Sequence, residues 1–143
     1  MIENIKHNEK LLSIIIRANF KANDIKFFTP NEFSQQLGYM NRDKGYVIEP
    51  HMHNVIKREI SYSKEVLLIR SGKVRIDFYD EKKNYIESRI LFKGDVILLA
   101  YGGHGFEMIE KTEIIEIKQG PYISDESRTR FPGISKDLIK IRS

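Results

Sequence analysis

The sequence predicts an all-β fold, an antiparallel sandwich or barrel of short strands. Three observations point there. Turn signals built on Gly, Pro, Asn and Asp separate short apolar runs about every ten residues. Beyond residue 20 no stretch sustains the 3.6-residue apolar period of an amphipathic helix. Lys73–Asp80 alternates, with Val74, Ile76 and Phe78 on one face and Arg75, Asp77 and Tyr79 on the other.

Each element follows from local composition. Residues 1–10 are polar with scattered isoleucines and read as a short helix or arm. Leu11–Phe20 is dense in Ile and Leu and reads as a buried strand. Asn23-Asp24 marks a turn. Ile25–Phe28 follows as a strand, broken by Thr29-Pro30-Asn31, and Phe33–Met40 as another. After the loop 41–44, Gly45 opens a strand that carries His51-Met52-His53. Asn54–Lys64 reads as a hairpin tip or edge strand, and Glu65–Arg70 as a strand stopped by Ser71-Gly72. Turns at 81–84 and 93–95 bound strands over Tyr85–Leu91 and Val96–Ala100. Tyr101-Gly102-Gly103-His104-Gly105 reads as a tight, glycine-permitted turn. Phe106–Ile109 and Glu113–Lys118 close the series. The polar tail from Gln119 is expected to wrap the barrel or a neighbouring subunit, with a short helix near its end. No repeat or composition break divides the chain, which reads as a single domain over 1–143.

Composition narrows the function classes. The chain has no cysteine, which excludes disulfides and thiolate metal sites and fits a reducing compartment. Its longest early apolar run, Leu11–Ile16, is far short of the ~18 residues of a membrane span and lacks a signal-peptide cleavage site. A cytoplasmic protein without membrane contact is expected. The net charge of +4 is spread among mixed signs, with no block of five like charges. That argues against a nucleic-acid partner and suits a small anionic ligand, such as a phosphorylated sugar.

Two of the four histidines, His51 and His53, stand two residues apart. In a strand they share one face, roughly 6–7 Å apart, and two imidazoles aimed at one point suit a transition metal. Glu65, at a strand start, and His104, between glycines, are candidates to complete the set. Three imidazoles and one carboxylate would take one divalent transition metal: Fe, Mn, Ni, Zn or Cu. Without metal, the same histidines would hydrogen-bond a ligand directly, and Glu65 would be an exposed charge. Arg58, Arg75 and Lys118 are candidate contacts to an anionic substrate. Tyr101 is a candidate proton donor; Glu107 and Glu116 are candidate bases. Arg75 also fits a solvated outer face, and His7 reads as solvated.

At these residues the chain resembles the cupin superfamily. Gly45 is followed by five residues and His51-x-His53; Glu65 is followed by six residues and Gly72. Eleven residues separate His53 from Glu65, where the family motif has three or four. In the second motif Gly94 and Gly102 match, Ala100 stands for proline, His104 arrives one residue early and Met108 stands near the asparagine position. The resemblance covers about 45–118. It implies a double-stranded β-helix, or jelly-roll barrel, with residues 11–40 added to the barrel or a dimer interface. It also implies a homodimer and a metal in the barrel mouth on His51, His53, Glu65 and His104. Cupins include isomerases, epimerases, dioxygenases, decarboxylases and binding domains. Residues 116–122 are similar to small bacterial cupins of surface-polysaccharide pathways. The expected function is a metal-dependent isomerase or epimerase acting on a small polar anionic molecule, such as a sugar derivative. A non-catalytic binding cupin, an iron-dependent dioxygenase and a metal-free sugar-nucleotide isomerase are the alternatives.

Overall fold

The computed structural model describes residues 1–124 and 127–143. It contains ten strands: β1 (Ile2–His7), β2 (Lys10–Ile16), β3 (Asp24–Phe27), β4 (Gly38–Asn41), β5 (Glu65–Ser71), β6 (Lys73–Tyr79), β7 (Tyr85–Phe92), β8 (Val96–Leu99), β9 (Gly103–Met108) and β10 (Glu113–Lys118). Every strand ladder is antiparallel. The fold is all-β, as the turn spacing predicts. A five-stranded sheet runs β1-β2-β8-β5-β10, a three-stranded sheet runs β7-β6-β9, and β3-β4 form a separate hairpin.

The two larger sheets face one another across one apolar cluster. The five-stranded sheet contributes Ile15, Leu67, Ile69, Ile97 and Leu99; the smaller sheet contributes Val74, Ile76, Phe78 and Leu91. A second cluster lies on the other face of the large sheet, where Phe33 and Leu37 cover Ile14, Ile16, Val66 and Leu98. β2 is therefore buried on both faces, which explains its unbroken apolar run. Burying these side chains stabilises the fold by about 1.5–3 kcal/mol each before chain entropy is subtracted.

Several expectations are corrected. Residues 2–7 are a strand rather than a helix or arm. Asn8 and Glu9 both take positive φ and join β1 to β2 by a two-residue turn of the kind that matches strand twist. The strand expected over Leu11–Phe20 stops at Ile16, after which Arg17 binds Glu3 of β1, the Ile90 carbonyl of β7 and Asp95. Of the span Phe33–Met40 only the last three residues are strand, within β4. Before it the chain is a loop tied by Thr29, whose hydroxyl donates to Gln36 and accepts from the Leu37 N–H. β9 starts at Gly103, so His104 lies in a strand and not in a turn. Gly102, at φ +74°, makes the turn alone; a Cβ there would lie 2.2 Å from the Tyr79 carbonyl oxygen. The helix near the end is a 3-10 turn, Lys136–Leu138.

The largest departure is the stretch 43–63. It contains no strand and every residue in it is exposed. The expected His strand is absent, and Pro50 at its centre has no N–H to give a ladder.

The two flanks of the sandwich differ. On one, Glu3 of β1 accepts from Arg17 and pairs with Arg89 of β7 at 3.5 Å; Arg17 also donates to Asp95 at 2.8 Å and to the Ile90 carbonyl. On the other, β9 and β10 are terminal strands of their sheets, and no strand pairs with their outer edges among the described residues. The tail wraps the chain's own small sheet. Phe131 packs edge-on against Tyr79, the Ile134 N–H donates to the Tyr79 hydroxyl, and Ile141 bridges to Ser88. Among the described residues no helix is long and apolar enough to cross a membrane.

Candidate functional site

The site builds from the unpaired β9–β10 flank. Glu65 opens β5, and strand alternation sends Glu65, Leu67 and Ile69 to the same side, toward the inter-sheet core. His104 stands opposite Phe78 in the β6–β9 ladder, so it shares the inward face of Phe78. The two side chains come from different sheets and meet, with His104 Nε2 3.3 Å from Glu65 Oε2. The imidazole N–H donates to the carboxylate, and this bond holds the Glu65 pKa below its ordinary value. Burial opposes that shift, while the charges of Lys118 and Arg128 add to it. Glu65 is thus not an exposed strand-start charge.

β10 extends this polar face. Lys118 stands opposite Glu65 and Glu116 opposite Leu67, so both side chains lean inward. Lys118 Nζ pairs with Glu116 Oε1 at 2.9 Å. Phe106 and Met108 continue the inward face of β9 but remain 41% and 51% exposed, beside an edge that no strand covers among the described residues. The flank therefore presents a carboxylate-oriented imidazole, a lysine–glutamate pair and an apolar strip.

Comparison with protein-family models, curated proteins and solved structures gave no match. Function must be read from the side chains themselves.

His51 and His53 form a second pair, on the exposed stretch. Their ring centroids are 5.4 Å apart and nearly perpendicular. His51 Nδ1 lies 2.9 Å from the Glu49 carbonyl oxygen, an acceptor only, so Nδ1–H donates to it and Nε2 is the nitrogen left for a ligand. That is how a metal-ligating histidine is usually oriented. The chemistry of all four expected donors fits a divalent transition metal, yet they stand as two pairs. Among the described residues no three His, Asp or Glu side chains form one metal-holding group.

The remaining candidates have other surroundings. Arg75 donates to both oxygens of Asp77 and pairs with Glu107 at 2.5 Å, on the outer face of β6 and β9. With two carboxylates on it, its guanidinium is not free to take a substrate, and Glu107 is held as its counter-ion. Tyr101 packs edge-on against Phe33 and Tyr62, with the ammonium groups of Lys10 and Lys64 at 4.8 and 5.1 Å from its ring. Arg58 is exposed on the stretch 43–63. Arg128 escaped the sequence reading; a single arginine in a polar tail carries no signal of the strand it will approach.

Proposed function

We propose that the protein is a metal-dependent cupin of jelly-roll type, acting as an isomerase or epimerase on a small polar anionic molecule such as a sugar derivative of surface-polysaccharide metabolism. The single observation that carries this reading is the Glu65–His104 contact. Two residues 39 positions apart in the sequence, both candidate ligands by their spacing, meet at 3.3 Å across two sheets. His51, His53, Glu65 and His104 would hold one ion, Fe, Mn, Ni, Zn or Cu, in a protein that works as a cytoplasmic homodimer. When bound, such an ion supplies Lewis-acid polarisation of a carbonyl. Lys118 offers its ammonium to the substrate's anionic group. Glu116, paired with Lys118 and facing the same space, would accept a proton from a carbon next to that carbonyl. Phe106 and Met108 shield the site from water on one side.

One observation favours a second reading. The imidazole of His104, oriented by a carboxylate and standing apart from His51 and His53, is also the arrangement of a metal-free acid–base catalyst. Incubation in D2O with a panel of nucleotide sugars, sugar phosphates and keto acids tests both. Deuterium appearing next to a carbonyl only in metal-loaded protein supports the metal reading; deuterium in metal-free protein supports the second. Tight ligand binding with no exchange would instead identify a binding protein, and oxygen consumption with iron a dioxygenase.

A further inference from the structure

The face of the five-stranded sheet turned away from Glu65 carries a buried lysine that takes no part in the site above. Lys64 lies one residue before Glu65, so its side chain leaves on the opposite side of the sheet, as that of Val66 does. Its Nζ stands 4.7 Å from the centre of the Phe33 ring and 5.1 Å from that of Tyr101. Only 5% of the residue is exposed, and no carboxylate pairs with it among the described residues. A lysine is almost never buried to that degree without a partner.

The surroundings hold it in place. The Lys64 N–H donates to Gln119 Oε1 at 3.1 Å, and the Lys64 carbonyl accepts from the Gln119 N–H at 3.4 Å. The Gln119 side-chain amide also donates to the Ser34 hydroxyl at 2.9 Å, which ties the loop carrying Phe33 to the same point. Phe33 meets Tyr101 edge-on at 5.7 Å, and Tyr62 meets it at 5.3 Å. The titratable groups around the Lys64 amine are Tyr101, Tyr62 and Lys10 of β2, whose ammonium lies 4.8 Å from the Tyr101 ring centre. Lys10 is itself paired with Glu81 at 2.6 Å.

Two ring faces replace only part of an ammonium's lost hydration, and burial holds the Lys64 pKa below its ordinary 10.5. The free amine is the form that attacks carbonyl carbon, and a desolvated lysine supplies more of it near neutral pH. With Lys10 taken by Glu81, the ring-lined surroundings favour an uncharged, apolar carbonyl compound over an anionic one. Access lies on the side of Tyr62, which is 53% exposed and held by ring contacts on the strandless stretch 43–63.

We propose that the Lys64 amine is a covalent site for a small apolar or aromatic aldehyde, held as an imine against the Phe33 and Tyr101 rings. The nitrogen lone pair attacks the carbonyl carbon and the π pair moves to oxygen. The resulting carbinolamine loses that oxygen as water, with both hydrogens of the amine, as the C=N bond forms. No oxidant or metal enters the step, and the site is separate from the Glu65–His104 flank.

The test treats the full chain, with EDTA present, with benzaldehyde and cyanoborohydride near neutral pH, and maps the reduced adducts by peptide mass spectrometry. Labelling at Lys64 is expected at least about tenfold faster than at the exposed Lys57 and Lys111. Its rate should reach half its maximum at a lower pH than that of a lysine model amide in the same solution. The preference should vanish in urea. Lys64→Met should lose the fast adduct and leave the slow ones. Benzaldehyde without reductant should shield Lys64, and not Lys57, from acetic anhydride. Labelling at Lys64 no faster than at Lys57 overturns the site, as does a preference that persists in urea. Fast acylation that benzaldehyde does not shield overturns the aldehyde assignment.

Discussion

Removing Glu65 and His104 singly and together, in metal-free protein, measures what ties the two sheets at the open flank. The contact is a hydrogen bond to an ionised carboxylate, which in a dry site contributes about 1.5–3 kcal/mol. Here the side chains are 19% and 28% exposed, so water screens part of it. A coupling near 1 kcal/mol at pH 7 is expected from the cycle of Glu65→Ala, His104→Ala and the double variant. For a chain of this length that is about 3 °C in Tm. The pH dependence has a definite sign. Glu65 titrates below its ordinary value of 4.5, because the His104 bond favours its charged form. The coupling is therefore fully present above pH 4.5 and fades as pH falls through the lower folded value. Urea unfolding at steps from pH 7 to pH 3.5, with EDTA present, gives the four stabilities. A coupling within 0.3 kcal/mol of zero at pH 7, on the order of the additivity error, refutes the contact. So does a coupling that does not weaken in acid.

Other outcomes follow from the same geometry. Gly72→Ala forces a side chain into φ +81° with its Cβ 2.1 Å from the Lys111 carbonyl oxygen, and should cost at least about 2 kcal/mol by chemical denaturation. Arg17→Met leaves the carboxylates of Glu3 and Asp95, 12% and 4% exposed, without their main cation, and should cost about 3 kcal/mol at pH 7. Lys64→Met should leave Tm unchanged or raise it, since the Lys64 ammonium is buried against the Phe33 and Tyr101 rings with no carboxylate partner among the described residues. Burial holds the Lys64 pKa below 10.5, so the wild type should regain that stability as pH rises through the lowered value, and the variant should not.

The strands were legible where alternation or an apolar run was strong. Val74, Ile76 and Phe78 announced β6, and Ile14–Ile16 announced a strand buried on both faces. β1 was missed because its turn uses Asn8-Glu9, and Glu at positive φ is a poor hairpin signal. Gly72 was found through a motif, yet its reason is steric: the turn that joins β9 to β10 lies against it. Glu65 and His104 could be named because a motif spacing reaches across sheets, which composition cannot do. The same spacing placed His51 and His53 in a strand, but the stretch 43–63 contains none, and Pro50 has no N–H to give a ladder. Arg75 and Glu107 looked available in sequence; only the β6–β9 register reveals that each satisfies the other.

The central claim is that His51–His53 and His104–Glu65 are two halves of one metal site. Metal stoichiometry, measured by elemental analysis after dialysis against excess Ni(II) and then against buffer, tests it most directly. About one equivalent per chain is predicted for the wild type. Both His51→Ala/His53→Ala and Glu65→Ala/His104→Ala, checked for folding by circular dichroism, should lose nearly all of it. Full retention of metal by either folded pair variant would contradict the claim.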